Sequence, residues 1–222
     1  ALDDGELGEI GLATAEVAWH RGTDYYGVPG RGTWAVDLGG VLMIQAIHAI
    51  DFLCWTVGPV ESVTALSSSF ARGLEVEDTV VALMRFRSGA IGQVTATVGA
   101  QSNRSTLALY GTRAAAISCG ETYSPTAEAF RLEVAGQPAE EPSAPERGAG
   151  TQPGPVLHMA QVRDFVEAIQ TGREPLVTAA SCRASLELIA AMQRSAATGE
   201  RVELPLAKDD PYYRLSPDKA LG

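Results

Sequence analysis

The spacing of apolar and polar residues predicts which parts of the chain form strands and which form helices. Residues 9–20 alternate as a strand does, and residues 39–57 repeat apolar positions every three or four residues, as a helix does. Gly58-Pro59 ends that helix, and the glycine-rich stretch 21–31 before it is predicted to be a loop. Six short strands should follow, at 60–67, 78–86, 90–98, 105–110, 114–119 and 129–134.

The last third of the chain predicts two closing helices and a short strand. Residues 156–170 and 178–198 have helical spacing, and the second helix should end at Gly199. Residues 201–204 have strand character.

The order of these elements predicts an α+β fold. Ser88-Gly89 and Gly111-Thr112 separate neighbouring strands at hairpin distance. We therefore expect a large, mostly antiparallel, open-faced β-sheet with helices packed on one face. The strand at 78–86 is substantially apolar on both sides. A second copy of the chain should therefore cover the other face, giving a homo-oligomer through the sheet.

The whole chain, 1–222, is predicted to form a single domain, because it is long enough to bury a sizeable core. Residues 136–155, rich in Pro, Gly, Glu and Ala, are expected to form a mobile surface loop. Residues 207–222 are expected to form a polar tail.

Composition and charge narrow the classes of partner. The formal net charge of −10 argues against nucleic acid and against an anionic membrane surface, since both require clustered Lys and Arg. No uninterrupted apolar run approaches the roughly 20 residues that cross a bilayer, so no membrane partner is expected. Three widely spaced cysteines suggest no disulfide framework, which favours the cytoplasm. The only lysines are Lys208 and Lys219, so a catalytic lysine would have to come from elsewhere.

The helix that follows Gly39-Gly40 is the strongest candidate for chemistry. Two glycines there let the backbone approach a ligand or another chain closely. Gln45 and His48 are three residues apart and share a helical face, whereas an apolar stripe on a different side would hold the helix on the sheet. An imidazole titrates near pH ~6.5, so an outward-facing His48 could take a proton at neutral pH. A lone helical histidine is more often structural, and spacing alone leaves both interpretations open.

Three residues before this helix could contact a substrate. Arg31 and Trp34 come just before the glycine pair, and Tyr25 lies in the predicted loop. Each could instead serve only in salt bridging or packing. The three histidines and three cysteines show no metal-ligand spacing, so we expect no metal. No Gly-x-Gly-x-x-Gly turn lies between a strand and a helix, so we expect no cofactor-binding residues in the chain.

The stretch from Arg31 to Asp51 resembles the central signature of the Gfo/Idh/MocA family of oxidoreductases. Members carry a glycine pair, then a helix with a polar residue, a histidine four residues later, and an aspartate. The resemblance runs from about Gly5 to Leu206, and its pieces are specific through their order and spacing rather than singly. Its other parts are 58–60, 76–79, 86–90, 110–112, 158–161, 164–169, 172–175, 195, 198–199 and 204–206.

The resemblance implies the C-terminal substrate-binding and oligomerisation domain of an NAD(P)-dependent oxidoreductase. The family's Rossmann domain and its Glu-Lys-Pro lysine have no counterpart in this sequence. NAD or NADP would therefore be bound mainly by a domain absent from the chain, and the chain alone would be inactive. His48 would take a hydroxyl proton while hydride moves between the nicotinamide and an alcohol carbon of a sugar, polyol or cyclic diol. Gln45 would contact the substrate or hold the histidine.

One position departs from the family. Ile44 stands where members commonly have Asp or Asn, four residues before the histidine. Isoleucine cannot orient an imidazole or bind a hydroxyl, so either Gln45 takes over or the substrate is less hydroxylated than a typical sugar. A non-catalytic module that binds a ligand or a partner protein on the same fold is the alternative. An enzyme in which oxidation is only transient is a third interpretation.

Overall fold

The structure is a computed structural model that describes residues 5–118, 130–137 and 153–214. The predicted strand ends at 119 and 129, most of the predicted loop 136–155 and the end of the predicted tail lie outside these residues. The side chain of His158 lies outside the description as well.

The described residues contain eight strands in one open sheet. These are β1 (Ile10–His20), β2 (Val60–Ser68), β3 (Thr79–Phe86), β4 (Ile91–Thr97), β5 (Gly99–Gly111), β6 (Ala115–Ser118), β7 (Phe130–Glu133) and β8 (Val202–Glu203). Their spatial order is β7-β6-β5-β1-β4-β3-β2-β8. The β1–β4 pair is parallel, and the other neighbouring pairs are antiparallel. The predicted α+β fold with a mostly antiparallel open sheet is confirmed.

The strand predictions differ from the structure mainly in β5, which begins at Gly99 rather than at residue 105. Residues 99–104 are mostly polar and exposed, so they lack the alternation that marks a half-buried strand. They are nevertheless strand residues, because their backbone pairs with the end of β1, with His20 opposite Gly99.

The two faces of the sheet have different surroundings. One face forms the core, where alternate residues of β1 and β3 are almost fully buried; these are Ala13, Ala15, Val17, Val80, Ala82, Met84 and Phe86. The opposite face leaves large apolar side chains in solvent, including Leu66, Leu83 and Ile91, which are 72%, 56% and 50% exposed.

The described part of the chain contains five α-helices. They are α1 (Thr23–Tyr26), α2 (Trp34–Asp37), α3 (Ile47–Val57), α4 (Pro153–Thr171) and α5 (Ala179–Thr198). The first two were not predicted, because four residues are too few for periodicity to reveal a helix. Helices α3 and α5 pack on the core face of the sheet and on each other.

Helix α4 differs from the expectation that both closing helices pack on the sheet. Its apolar residues Phe165 and Ile169 are 57% and 68% exposed, and no described strand or helix packs along it. Among residues 159–171, the part of this helix whose side chains are described, only Ala168 is buried. The periodicity that predicted the helix was right about the element, but it carried no information about what covers its apolar side.

The segment Trp34–Val57 is apolar and long enough to cross a membrane, by length and composition only, with mean hydropathy 1.6. In this fold it is broken into α2, a glycine pair and α3. Its apolar residues Leu42, Ile50 and Leu53 lie in the core, at 1% exposure or less. The segment is therefore used as a core helix here.

Residues 207–214, the described part of the predicted polar tail, pack against α5. Asp210 forms an ion pair with Arg194. The guanidinium carbon of Arg183 lies 4.2 Å from the ring centroid of Tyr213, and Tyr212 is partly buried against the core.

Candidate active site

The helix that carries the predicted site begins with a π-helical turn. Residues Leu42–Ala46 form this turn, and α3 continues from Ile47. A π turn holds more residues than an α turn and changes the direction in which each side chain points. Gln45, predicted to share an outward face with His48, is only 5% exposed, whereas His48 is exposed. The predicted apolar stripe is buried as expected.

One side of this helix is open to solvent. Ile44, His48, Asp51 and Trp55 follow each other at spacings of four, three and four residues, and all four are exposed. The imidazole of His48 has no hydrogen bond to any residue in the described ranges. Asp51 is held in place, because its Oδ1 accepts a hydrogen bond of 2.5 Å from the Ser185 hydroxyl of α5. His48 therefore stands free on an exposed surface beside an apolar and an acidic neighbour.

Gln45 joins the helix to the short helix α1, which contains Tyr25. Its Nε2 donates a hydrogen bond of 3.1 Å to the Tyr25 hydroxyl. The guanidinium carbon of Arg31 lies 4.0 Å from the centroid of the Tyr25 ring, and that of Arg21 lies 5.3 Å from it. The structure thus brings together three of the predicted site residues, Gln45, Tyr25 and Arg31.

Arg21 is a member of this cluster that the sequence analysis missed. It directly follows β1, stacks 4.7 Å from the ring centroid of the nearly buried Trp19, and lies four residues before Tyr25. The sequence signal that could have identified Arg21 is a basic residue directly after a strand and four residues before an aromatic residue.

The glycine pair allows two segments of this chain to touch. A Cβ on Gly40 would lie 1.7 Å from the Glu77 carbonyl oxygen, and Gly39 has φ +153°. The close approach that the pair predicted is therefore made to the segment before β3. The Glu77 carbonyl accepts from the Val41 N–H at 2.9 Å, which fastens the start of the helix to the sheet.

Glu77 is a buried carboxylate whose role the sequence did not reveal, since it was expected only to begin a strand. It is 7% exposed, and its Oε1 accepts from the Gly40 N–H at 2.9 Å and the Leu42 N–H at 3.3 Å. Burial raises the pKa of the Glu77 carboxyl, although these backbone donors act in the opposite direction. Glu77 thus satisfies N–H groups at the start of the helix that would otherwise lack partners.

Trp34 lies apart from the cluster around Tyr25. Its indole Nε1 donates to the Glu75 carbonyl at 3.0 Å, and its ring lines a cavity of about 330 Å³ shared with Glu77 and Gln193. The Gln193 Nε2 is buried without a hydrogen-bond partner in the part of the chain that the structure describes. Of the predicted substrate residues, Trp34 is therefore the one that the fold does not place with Gln45.

The chemistry available at this surface is proton transfer and polar recognition. His48 is an accessible base, and Tyr25 with its two flanking arginines offers hydroxyl and guanidinium groups. Within the described ranges, no group of three His, Cys, Asp or Glu side chains is arranged to hold a metal ion.

Comparison with known proteins identifies the family. A profile of the GFO/IDH/MocA C-terminal domain matches residues 1–117, more than half of the chain. The protein belongs to the Gfo/Idh/MocA family, as its sequence predicted. No curated protein sequence matches the chain significantly.

Three solved structures with the same fold are dehydrogenases. The WlbA dehydrogenase from Bordetella pertussis, in complex with NADH and UDP-GlcNAcA, is 31% identical with a TM-score of 0.75, over 93% of this chain and 58% of that one. The WlbA dehydrogenase from Chromobacterium violaceum, with the same ligands, is 31% identical with a TM-score of 0.76 over the same shares. Levoglucosan dehydrogenase, with NADH and levoglucosan, is 22% identical with a TM-score of 0.75, over 92% and 61%, and shows the fold alone. The chain thus spans about three fifths of the length of these structures.

Proposed function

We propose that this chain is the substrate-binding and oligomerisation domain of an NAD(P)-dependent oxidoreductase. The observation that carries the proposal is the exposed His48, which has no hydrogen-bond partner among the described residues and lies beside the Gln45–Tyr25 pair, in a member of this family. The WlbA relatives, which bind NADH and a nucleotide sugar, are similar over most of the chain. The substrate would be an alcohol of the sugar, polyol or cyclic diol class.

The residues of this chain fit a nicotinamide ring presented by another domain, rather than a whole dinucleotide. The exposed side of the helix, with Ile44 and His48, offers an apolar contact next to a base. The N–H groups of the glycine turn cannot cradle a pyrophosphate, because Glu77 already occupies them. When bound, the cofactor would supply the hydride acceptor or donor.

In this proposal His48 moves the proton of the reacting hydroxyl. A neutral imidazole accepts the proton as the alcohol is oxidised, and the imidazolium returns it in the reverse direction. Gln45 holds the Tyr25 hydroxyl by its hydrogen bond, so Tyr25 and Arg31 form a fixed wall for substrate groups. Trp34 would contribute only to a substrate that extends into the cavity it lines.

Two uncovered apolar surfaces support a larger assembly. The open face of the sheet would pair with a second copy of the chain, and a monomer by sedimentation at micromolar concentration would contradict that pairing. The exposed side of α4, with Phe165 and Ile169, would be covered by the cofactor-binding domain. The relatives are long enough to hold such a domain, since this chain spans about three fifths of them.

The proposal is tested by replacing His48 in a polypeptide that carries this chain together with its cofactor-binding domain. His48→Asn should lower kcat by about 10²- to 10⁴-fold, because general base catalysis contributes that much. NADH affinity should stay unchanged, and the 222-residue chain alone should not bind NADH in a fluorescence titration.

Three outcomes would contradict the proposal or part of it. Turnover like that of the wild type in His48→Asn would remove His48 from the mechanism. Micromolar NADH affinity of the isolated chain would contradict the need for a second domain. Ligand binding without any nicotinamide reduction would favour the alternative of a non-catalytic binding module, which the exposed Ile44 beside His48 already supports.

A further inference from the structure

A cavity of about 330 Å³ lies between α5, the end of β2 and the segment that begins with α2. Its volume is within the range of small-molecule sites, which is roughly 300–1,000 Å³. Leu42 borders this cavity at 1% exposure, whereas His48, six residues later, is exposed to solvent. The cavity therefore lies on the side of the helix that faces α5, and His48 lies on the exposed side.

The side-chain amide of Gln193 is the first feature of this cavity that a ligand would explain. Gln193 lines the cavity, and its Nε2 is buried without a hydrogen-bond partner in the described part of the chain. A buried donor without an acceptor costs free energy, so nearly all such groups in folded proteins are paired. A Cβ on Gly39 would lie 2.6 Å from this nitrogen, so the amide is packed against the backbone there. An acceptor on a ligand in the cavity could pair with it.

Leu38 is the second unusual residue at this cavity. It follows α2 with φ +56°, and it is the only non-glycine residue with a positive φ in the described ranges. A large side chain is unfavourable in this left-handed region, which glycine adopts at little cost. Strain of this kind is found most often at active sites and ligand-binding sites. Leu38 therefore keeps an apolar side chain at the cavity wall in a backbone conformation that suits glycine better.

The other lining groups indicate that the ligand is uncharged and has a ring. Trp34 presents an indole of fixed orientation, because its Nε1 donates to the Glu75 carbonyl at 3.0 Å, and an aromatic surface beside Leu38 favours a flat apolar partner. Glu77 lines the same cavity, and burial raises the pKa of its carboxyl. The same desolvation disfavours an anionic ligand. Arg214 also borders the cavity but is exposed, so water and salt screen its attraction for an anion.

We propose that this cavity is a second ligand site, which binds an uncharged ring compound that carries a carboxamide or lactam group through Gln193. Such a group has one acceptor oxygen and an N–H donor, so it can pair with the Gln193 amide, which has the same two functions. The reacting nicotinamide belongs beside His48 in the proposed function, so the occupant of the cavity is a different molecule. Its binding does not depend on hydride transfer. Because Glu77 joins the cavity to the Gly40 and Leu42 N–H groups, the ligand would also stabilise the start of the helix that carries His48.

The test titrates the 222-residue chain with benzamide, benzoate and toluene, and observes the Trp34 indole N–H and the Gln193 side-chain amide by NMR. Benzamide should shift both signals saturably with a dissociation constant of about 1 mM, the strength expected for so few atoms. Toluene should bind about 5- to 10-fold less tightly, because it leaves the buried donor unpaired. Benzoate should bind at least about 10-fold less tightly than benzamide, because its charge must leave water.

Three variants decide whether the cavity is the cause. Gln193→Leu should abolish the advantage of benzamide over toluene without lowering the urea denaturation midpoint, because it removes a donor that has no partner in the described part of the chain. Leu38→Gly should weaken benzamide and toluene alike, since it removes an apolar wall at a backbone position that glycine adopts readily. Gln101→Leu is the matched control, because Gln101 is exposed on β5 and does not line the cavity. It should bind like the wild type.

Saturable benzamide binding that Gln193→Leu reduces to the level of toluene supports the proposal. Shifts that do not saturate, or that are as large in Gln193→Leu as in the wild type, would show adventitious binding only and overturn it. Equal affinity for benzamide and benzoate would also overturn it, because the site would not select an uncharged ligand. A lower urea midpoint in Gln193→Leu with unchanged benzamide binding would make Gln193 a structural residue. Each of these outcomes leaves the His48→Asn test of the proposed function unaffected.

Discussion

Helices α4 and α5 come from similar sequence patterns but have opposite surroundings. Both repeat apolar residues at helical spacing. In α5 the repeat is buried against the sheet, with Leu188 and Ile189 at 2% and 0% exposure, whereas in α4 Phe165 and Ile169 are more than half exposed. An amphipathic pattern therefore establishes that a helix has an apolar side, but not which part of a protein covers it.

The difference lies in the contacts that α5 makes with distant parts of the chain. Its Ser195 hydroxyl accepts a hydrogen bond from the Ala65 N–H of β2, and its Ser185 hydroxyl donates one to the Asp51 carboxylate of α3. The described side chains of α4 make their hydrogen bonds within the helix and with the linker that follows it, such as the one that Asp164 accepts from the Leu176 N–H. Helix α5 is thus part of the core, and α4 is a surface element of this chain.

The largest expected effect of this contrast is on stability. Leu188→Ala should lower the free energy of unfolding by about 2–5 kcal/mol, because it opens a cavity in a packed core. Phe165→Ala on α4 is the matched variant and should cost less than about 1 kcal/mol in the isolated chain, because its side chain is mostly in solvent. Urea denaturation followed by circular dichroism measures both.

Equal losses of unfolding free energy in Leu188→Ala and Phe165→Ala would contradict the difference in burial between α5 and α4. In a polypeptide that also carries the cofactor-binding domain, Phe165→Ala should cost more than in the isolated chain. An unchanged cost there would contradict the proposal that this domain covers α4.

The second expected effect concerns the polar bonds of each helix. Ser195 is fully buried; its hydroxyl accepts from the Ala65 N–H at 2.9 Å and donates to the Glu200 carbonyl at 2.6 Å. Ser195→Ala should cost about 1–3 kcal/mol, because a buried backbone donor loses its partner. Thr171→Ala, which removes only the exposed bond to the Glu167 carbonyl in α4, should change stability by less than about 0.5 kcal/mol.

Urea denaturation midpoints measure the Ser195→Ala and Thr171→Ala variants as well. A loss at Thr171 as large as that at Ser195 would show that α4 is held as firmly as α5.

The sequence predicted most of the fold because the rules that decide it are local. Alternation in Ala13, Ala15 and Val17 is enough to identify β1 and its buried side, and Ser88-Gly89 identifies a hairpin. Whether anything covers α4 depends on residues that are distant in the sequence or belong to another chain, so no local pattern could reveal it.

The site was predicted less completely, for two physical reasons. The expected outward direction of Gln45 assumed an α-helix, and the π turn at Leu42–Ala46 turned this side chain toward Tyr25. The role of Glu77 depends on a contact with Gly40 across 37 positions of sequence. Residue types near a glycine pair identified the neighbourhood, but the pairing within it required the three-dimensional structure.

The smallest expected effect is a pH dependence confined to the linker between α4 and α5. The Leu176 N–H donates a hydrogen bond to the Asp164 carboxyl at 2.7 Å, and Arg173 donates one at 2.8 Å. Both bonds hold the pKa of the Asp164 carboxyl below its usual value, and the bond from Leu176 has the larger effect. A carboxyl with a lowered pKa stabilises the folded state above its unfolded pKa of about 3.9, and this contribution is lost as pH falls through the lower, folded pKa. The α5 cap formed by Thr178 and Ser181 uses hydroxyl groups, which do not titrate in that range.

Amide chemical shifts followed from pH 5 downward to about pH 2 distinguish these two parts of the linker. The Leu176 amide should shift and lose protection at the acidic end, whereas the Ser181 amide should stay constant as long as the chain is folded. Asp164→Asn should abolish the pH response at Leu176 and leave Ser181 unaffected. If both amides respond together, the two helices loosen as one unit, and the contrast between a core-bound α5 and a peripheral α4 is wrong at their junction.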